Sequence, residues 1–396
     1  MSIFPRKLLR PCWSAVTVID RNQLALYLHI PFCRQKCSYC AFYSKIPEPD
    51  TVRHFLNRLS GELKFRAGDW QKPVTSIYFG GGTPSLLSPA ALEKILQVIE
   101  ENYRLAPDPE ITLEVNPGDL QSEAVLEGWQ EIGLNRISLG VQSLQQDELN
   151  LLGRSHSVSQ ARRSLTILAK TEFIYNVDLI SALPGQQAED HLQNLAEILQ
   201  YRPRHISCYN LQLEPETPLA DRMKKGLLPE ISEDEDARGY QQTRQQLEKK
   251  SYQHYEISNF ALPGFKCRHN LAYWEFRPYA GFGPAACSFN LRERRKNRAS
   301  LRDYLADSPR QPGVPHEKSR LDQQELKAEY LLMGLRLLQG IDRRDFHSFF
   351  HQSLADCYSR EIAGLKEEGF LAESGNKIFL TDQGIMLGNQ VFQAFL

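Results

Sequence analysis

Between residues 24 and 211 the chain alternates short apolar runs with longer amphipathic ones, six times over. In the first run, LALYLHIPFCRQKCSYCAF over 24–42, Leu26, Leu28 and Ile30 alternate with Tyr27 and His29 at strand period. Pro31 ends that strand because it cannot donate a ladder hydrogen bond. A helix is predicted over 52–66, where Phe55, Leu56, Leu59, Leu63 and Phe65 fall near helical spacing. Further strands are predicted over 76–79, 111–115, 136–141, 176–180 and 205–211, with helices over 89–102, 122–132, 159–170 and 189–199 between them. The rhythm argues for parallel βα units that curl toward a barrel, although a doubly wound open sheet shares it.

The polar residues favour the barrel. Three thiols, the glycines at 80–82, Glu114, Gln142, Asp178 and Gln212 all fall at or just after strand ends. In parallel α/β folds that edge carries the active site. The expected fold is therefore α/β: a partial (βα)6 TIM-like barrel with a small C-terminal winged-helix-like α+β domain. Residues 1–22 read as an N-terminal extension and 23–306 as the barrel, with a substrate segment at 214–300 whose first part is polar and helical. Three prolines, a glycine and many charges mark 307–324 as a linker. In 325–396, helices are predicted over 325–339, 343–352 and 354–368, then a hairpin turning at Gly375-Asn376 and a last helix from Asp382.

Composition narrows the class. The 396 residues are 41% hydrophobic, enough for a sizeable core, and a net charge of −1 gives no global case for nucleic acid. No apolar run reaches membrane-spanning length and no signal peptide is recognisable, so a cytoplasmic location is expected. Of eight cysteines, Cys12, Cys208, Cys267, Cys287 and Cys357 are scattered, while Cys33, Cys37 and Cys40 form C-x3-C-x2-C on the loop after the first strand. In a reducing compartment such a group binds metal or performs catalysis. It supplies one thiolate fewer than a four-ligand site needs, so a coordination position stays open. A zinc site with His29 as fourth ligand is the bland alternative.

The cysteine loop resembles that of the radical S-adenosylmethionine (SAM) superfamily. That resemblance implies a [4Fe–4S] cluster on three thiolates, with SAM chelating the fourth iron. The stretches YLHIPFC at 27–33, GGGTP at 80–84, EVNP at 114–117, GVQS at 140–143, LGRSH at 152–156 and DLI at 178–180 are similar to the oxygen-independent coproporphyrinogen III oxidase family. By family position Tyr27, Tyr39, Gly81, Gly82, Thr83, Glu114, Gln142, Arg154 and Asp178 would line the SAM site. The oxidase has a further cysteine where this chain has Phe42; together with HNLAYW at 269–274 this looks like the heme chaperone (HemW) branch. That branch implies heme binding and delivery to respiratory hemoproteins, with a one-electron donor as partner and no nucleic acid. The alternative is radical decarboxylation of coproporphyrinogen III. His269, with Cys267 as second candidate, could ligate heme iron, since imidazole and thiolate both suit it. Relatives often carry His where this chain has Cys287. The basic run Arg292–Arg298 reads as a solvated loop, or as a site for propionates, a redox partner or peripheral membrane contact.

Overall fold

A computed structural model describes residues 19–306 and 316–396. The expected extension over 1–22 thus lies outside the described residues except for its last four, and so do 307–315 of the expected linker. Six βα units run in order: β1 (Leu24–Ile30), α1 (Pro49–Arg66), β2 (Val74–Gly81), α2 (Pro89–Asn102), β3 (Leu105–Val115), α3 (Glu123–Glu131) and β4 (Arg136–Gln142). Helices α4 (Gln146–Leu152) and α5 (Val158–Ala169), β5 (Ile174–Ser181), α6 (Ala188–Gln200) and β6 (His205–Asn210) complete them. Strands β1 to β6 pair in chain order, all parallel.

Period-two alternation divides each strand between two environments. Leu26, Leu28 and Ile30, Ile77 and Phe79, Ile111 and Leu113, Ile137 and Leu139, and Val177 and Leu179 are buried in one core with the apolar stripes of the helices. The opposite, concave face is polar. Local chemistry sets the helix starts: Ser88 accepts the Ala91 N–H ahead of α2, and Ser157 with Gln160 forms a capping box on α5. Gly153 closes α4 in the left-handed region, φ +66°.

The polar excursion forms α7 (Pro218–Lys224) and α8 (Glu233–Lys249), then β7 (Gln253–Glu256), β8 (Asn259–Ala261) and the short helix α9 (Arg268–Trp274). Next come β9 (Tyr279–Phe282), β10 (Cys287–Phe289), β11 (Glu293–Lys296), α10 (Leu301–Ala306) and β12 (Glu317–Arg320). These strands extend the sheet to twelve. β9 pairs parallel with β1 and carries β10, β11 and β12 beyond it, while β8 and β7 extend the β6 edge. Residues 317–320, inside the span read as a linker, are therefore an edge strand against β11. The run Arg292–Arg298 is ordered too: Arg294 makes a two-bond ion pair with Glu329, and Arg295 pairs with Asp69 and Glu293.

The C-terminal unit comprises α11 (Gln323–Gly334), β13 (Ile341–Asp342), α12 (Arg343–Phe350), α13 (Leu354–Glu367), β14 (Leu371–Ser374), β15 (Lys377–Leu380), α14 (Asp382–Met386) and α15 (Gly388–Gln393). The β14–β15 hairpin turns at Gly375, φ +58°, and β13 adds a third strand. Its core of Leu331, Phe346, Ile378 and Leu380 also takes in Phe276 and Phe289 from the end of the barrel chain. Arg21 fixes the junction by bonding both oxygens of Asp345 and the Phe276 carbonyl.

Candidate functional site

The cysteine loop leaves β1 and is closed at its base by backbone. Lys45 N–H donates to the Pro31 carbonyl at 2.7 Å, and Cys33 N–H to the Lys45 carbonyl at 2.9 Å. Midway, Ser38 is held from two sides: its N–H donates to Leu152 at the end of α4, and its carbonyl accepts from Leu219 in α7. A loop tied at three points can hold three thiols in a fixed arrangement before any metal arrives.

Two of the three sulfurs have a side-chain hydrogen-bond donor. Thr83 Oγ1 lies 3.5 Å from Cys33 Sγ and Arg154 Nη1 lies 3.4 Å from Cys37 Sγ. Burial pushes the Cys40 thiol pKa up, and nearby Cys37 and Cys33 add to it, against the Phe42 N–H and Lys36. A cubane meets each thiolate at a separate iron, so the sulfurs need not crowd to the spacing of a one-ion site. Among the described residues, no three His, Cys, Asp or Glu side chains do so. His29 is occupied elsewhere, with Tyr27 OH 3.2 Å from Nδ1 and the Tyr43 carbonyl 3.0 Å from Nε2. It has no nitrogen to spare for zinc, which removes the argument for that alternative. Three thiols, two with donors aimed at sulfur, and no fourth side chain among the described residues closing the set fit a cluster with one open iron.

The glycines beside the loop are there for clearance. A β-carbon on Gly81, φ +105°, would stand 2.4 Å from the His29 ring, and one on Gly82 would stand 2.6 Å from the Phe32 carbonyl. Gly82 and Thr83 N–H groups donate to the Ile30 and Phe32 carbonyls, so this turn is laced to the root of the cysteine loop. Glu114, one strand over, accepts from Tyr78 OH at 2.9 Å and Gly81 N–H at 3.0 Å. Burial pushes its carboxyl up to about 7; Asp178 adds to that, against the Tyr78 and Gly81 bonds. Asp178 accepts from Ser138 Oγ at 2.8 Å and Asn176 Nδ2 at 2.6 Å, and burial raises its pKa despite them. Arg154 contacts Tyr39 as well as Cys37, and burial pushes the Tyr39 phenol up to about 12, against Arg154. Gln142 closes β4 at φ +65°, a conformation costly for a non-glycine residue, as is common at ligand clamps. A β-carbon on Gly140 would stand 3.1 Å from Gln142 Nε2 and 3.2 Å from Arg154 Nη2, so these two share one corner.

Of the residues expected at the SAM site, the structure thus brings Gly81 to Glu114, Thr83 to Cys33, and Tyr39 and Arg154 to Cys37. Tyr27 lies deeper, its ring 6.2 Å from Tyr78 and 6.3 Å from His269. Sequence reading passed over Ser138 and Asn176, whose period-two placement with Asp178 and Gln142 was the available signal. Gln212, expected at this edge, is exposed and bonds only the Asn210 carbonyl.

The heme-ligand candidates lie at the other end. Helix α9 closes the N-terminal ends of the strands, where Glu110 accepts from the Arg268 and His269 N–H groups at 3.2 and 3.0 Å and pairs with Arg136. His269 Nδ1 bonds Ser76 Oγ and Nε2 bonds Tyr273 OH, both at 3.0 Å; the ring stacks on Tyr78, and burial holds its pKa down at about 3. Cys267 is buried against Glu110, its thiol pushed up to about 12 by burial first and then by that carboxylate. Neither side chain presents a free donor atom to an external iron. Both side chains belong here to a polar plug, so ligation of heme iron by either would require these bonds to be exchanged.

The comparisons match this geometry. The Radical SAM superfamily pattern covers residues 27–198, and the HemN C-terminal domain pattern covers 321–387. The heme chaperone HemW of Lactococcus lactis is 36% identical over 93% of this chain and 96% of its own length. The HemW of Escherichia coli is 33% identical over 94% and 98%. The chain belongs to the HemW family of radical SAM proteins. A mouse relative, radical S-adenosyl methionine domain-containing protein 1, mitochondrial, is 36% identical over 88% of this chain and 82% of its own. In fold, the chain matches Escherichia coli coproporphyrinogen III oxidase HemN, with a TM-score of 0.81 at 23% identity over 96% of this chain and 91% of that one. Radical SAM membership brings a [4Fe–4S] cluster and SAM, and Cys33, Cys37 and Cys40 are the residues able to hold the cluster. Such a cluster supplies one electron at low potential. The chain's own residues would hold the cluster, orient it and shield it from water. No helix among the described residues is long and apolar enough to cross a membrane.

Proposed function

We propose that this protein is a cytoplasmic heme chaperone that binds a [4Fe–4S] cluster, SAM and heme and hands heme to respiratory hemoproteins. One observation carries the reading: relatives named heme chaperones match more than nine-tenths of the chain at 33–36% identity. Phe42 supports it, because the position where the oxidase has a further cysteine is here an apolar side chain 67% exposed at the mouth of the barrel. The SAM site would use Gly81 and Gly82 for close backbone approach, Glu114 and Asp178 as acceptors, and Tyr39 as a stacking face. A one-electron donor is required for any SAM cleavage. Within the Arg292–Arg298 run, Arg294 and Arg295 are engaged in ion pairs while Arg292 and Lys296 are exposed.

The fold shared with HemN keeps coproporphyrinogen III decarboxylation as the second reading. Anaerobic cluster reconstitution followed by two assays on one sample separates them. Heme titration is expected to give a stoichiometric Soret shift, and SAM with reductant and coproporphyrinogen III is expected to give no decarboxylated product. Efficient product formation without stoichiometric heme binding would reverse the assignment.

A further inference from the structure

Asn116 follows β3 directly and precedes Pro117, which keeps it extended at φ −85°, ψ 142°. It continues the concave-face series Glu110, Thr112, Glu114. Its side-chain amide stands between the donors of two cluster sulfurs. Nδ2 donates to Thr83 Oγ1 at 2.9 Å, and Oδ1 accepts from Arg154 Nη2.

The directions of these bonds are forced. A guanidinium can only donate, so Arg154 must face the amide oxygen, which turns the amide NH2 toward Thr83. Having accepted from Asn116, the Thr83 hydroxyl keeps its single proton for Cys33 Sγ. Arg154 Nη2, held by Asn116 and by the Gly140 carbonyl at 3.0 Å, leaves Nη1 aimed at Cys37 Sγ. Cys40 bonds neither Thr83 nor Arg154 and stands outside this relay.

We propose that Asn116 is a positioning residue that sets the reduction potential of the cluster, by orienting the Thr83–Cys33 and Arg154–Cys37 hydrogen bonds together. Hydrogen bonds to ligating sulfurs stabilise the extra negative charge of the reduced cluster and so raise its potential. One amide governs two of the three sulfurs, so its loss removes both contributions at once. The inference rests on the three thiolates holding the cluster and is independent of heme.

The test is redox titration of the full-length reconstituted protein without SAM, with iron and sulfide measured on each sample. Asn116→Leu and Asn116→Ala are expected to retain the cluster and shift its midpoint potential negative. Thr83→Val should shift it by less, because it frees only Cys33, and Thr83→Ser should keep the wild-type value. In the Thr83→Val background Asn116→Leu should add less than it does alone, since the two share one bond path. An unchanged potential in both Asn116 variants at full iron and sulfide overturns the proposal. Loss of iron in both overturns it too, because the amide would then hold the cluster rather than tune it. Wild-type protein that takes up no cluster would instead bring down the thiolate-ligation reading beneath it.

Discussion

The two ends of the barrel are built from the same residue types and differ in what those residues have left to do. At the N-terminal end Glu110, Cys267 and His269 are bonded to one another or to neighbours, and Arg136 joins them through Glu110 and the Phe265 carbonyl, with its Nη2 left unpartnered. At the C-terminal end Cys33 and Cys37 accept from Thr83 and Arg154, and among the described residues no other side chain completes a coordination sphere around the three thiols. A buried polar group with every partner present is structure. One that is preorganised but incomplete is a binding site. Chemical type alone does not separate the two: His269, a candidate ligand by type and motif, has a partner at each ring nitrogen in this structure.

Four substitutions separate the ends further. Cys37→Ser should abolish cluster assembly, seen as loss of protein-bound iron and sulfide and of the brown absorbance, while the apoprotein melts as before. Glu110→Ala should act oppositely. It leaves Arg136 buried without its carboxylate and strips two N–H groups of α9, at a cost of about 3–5 kcal/mol in denaturant unfolding. Cluster content per folded molecule should stay at the wild-type level.

The third concerns pH. Burial raises the Glu114 carboxyl to about 7 in the folded chain, above its value of 4.5 when unfolded. The folded state therefore holds a proton that the unfolded state has lost, so its stabilising contribution is full below 4.5 and falls as pH rises toward 7. Apoprotein stability should drop across that window by up to about 3 kcal/mol from this group. Glu114→Gln should flatten the slope. The smallest effect is expected from His269→Ala, about 2 kcal/mol of stability for two hydrogen bonds and a stacked ring, with an unchanged heme titration. Weaker heme binding at unchanged stability would return His269 to the ligand role.

Much of this was legible from the chain. Long periodic segments such as Leu24–Ile30, Val74–Gly81 and Ile174–Ser181 announced their strands, because one face of each is buried against helices. Three cysteines on a short loop announced the cluster. The edge strands were not visible: Glu293–Lys296 is wholly charged and only four residues long, and it is a strand because of its partners β10 and β12. Residues 317–320 looked like linker for the same reason. Asn116 was quoted within a motif, yet its role depends on Thr83 and Arg154, far apart in sequence. What His269 and Cys267 bond to depends on Ser76 and Glu110, remote in sequence, and only the Tyr273 partner, four residues along the same helix, was open to a reading of spacing.

The most direct measurement is electron paramagnetic resonance of the dithionite-reduced, reconstituted protein with and without SAM. If three thiolates leave one iron open at the C-terminal end, adding SAM should change the g-values of the reduced [4Fe–4S] cluster at fixed iron content. A spectrum that SAM leaves untouched at saturating concentration would mean the fourth iron is already closed by the protein, and the account of this end of the barrel would be wrong.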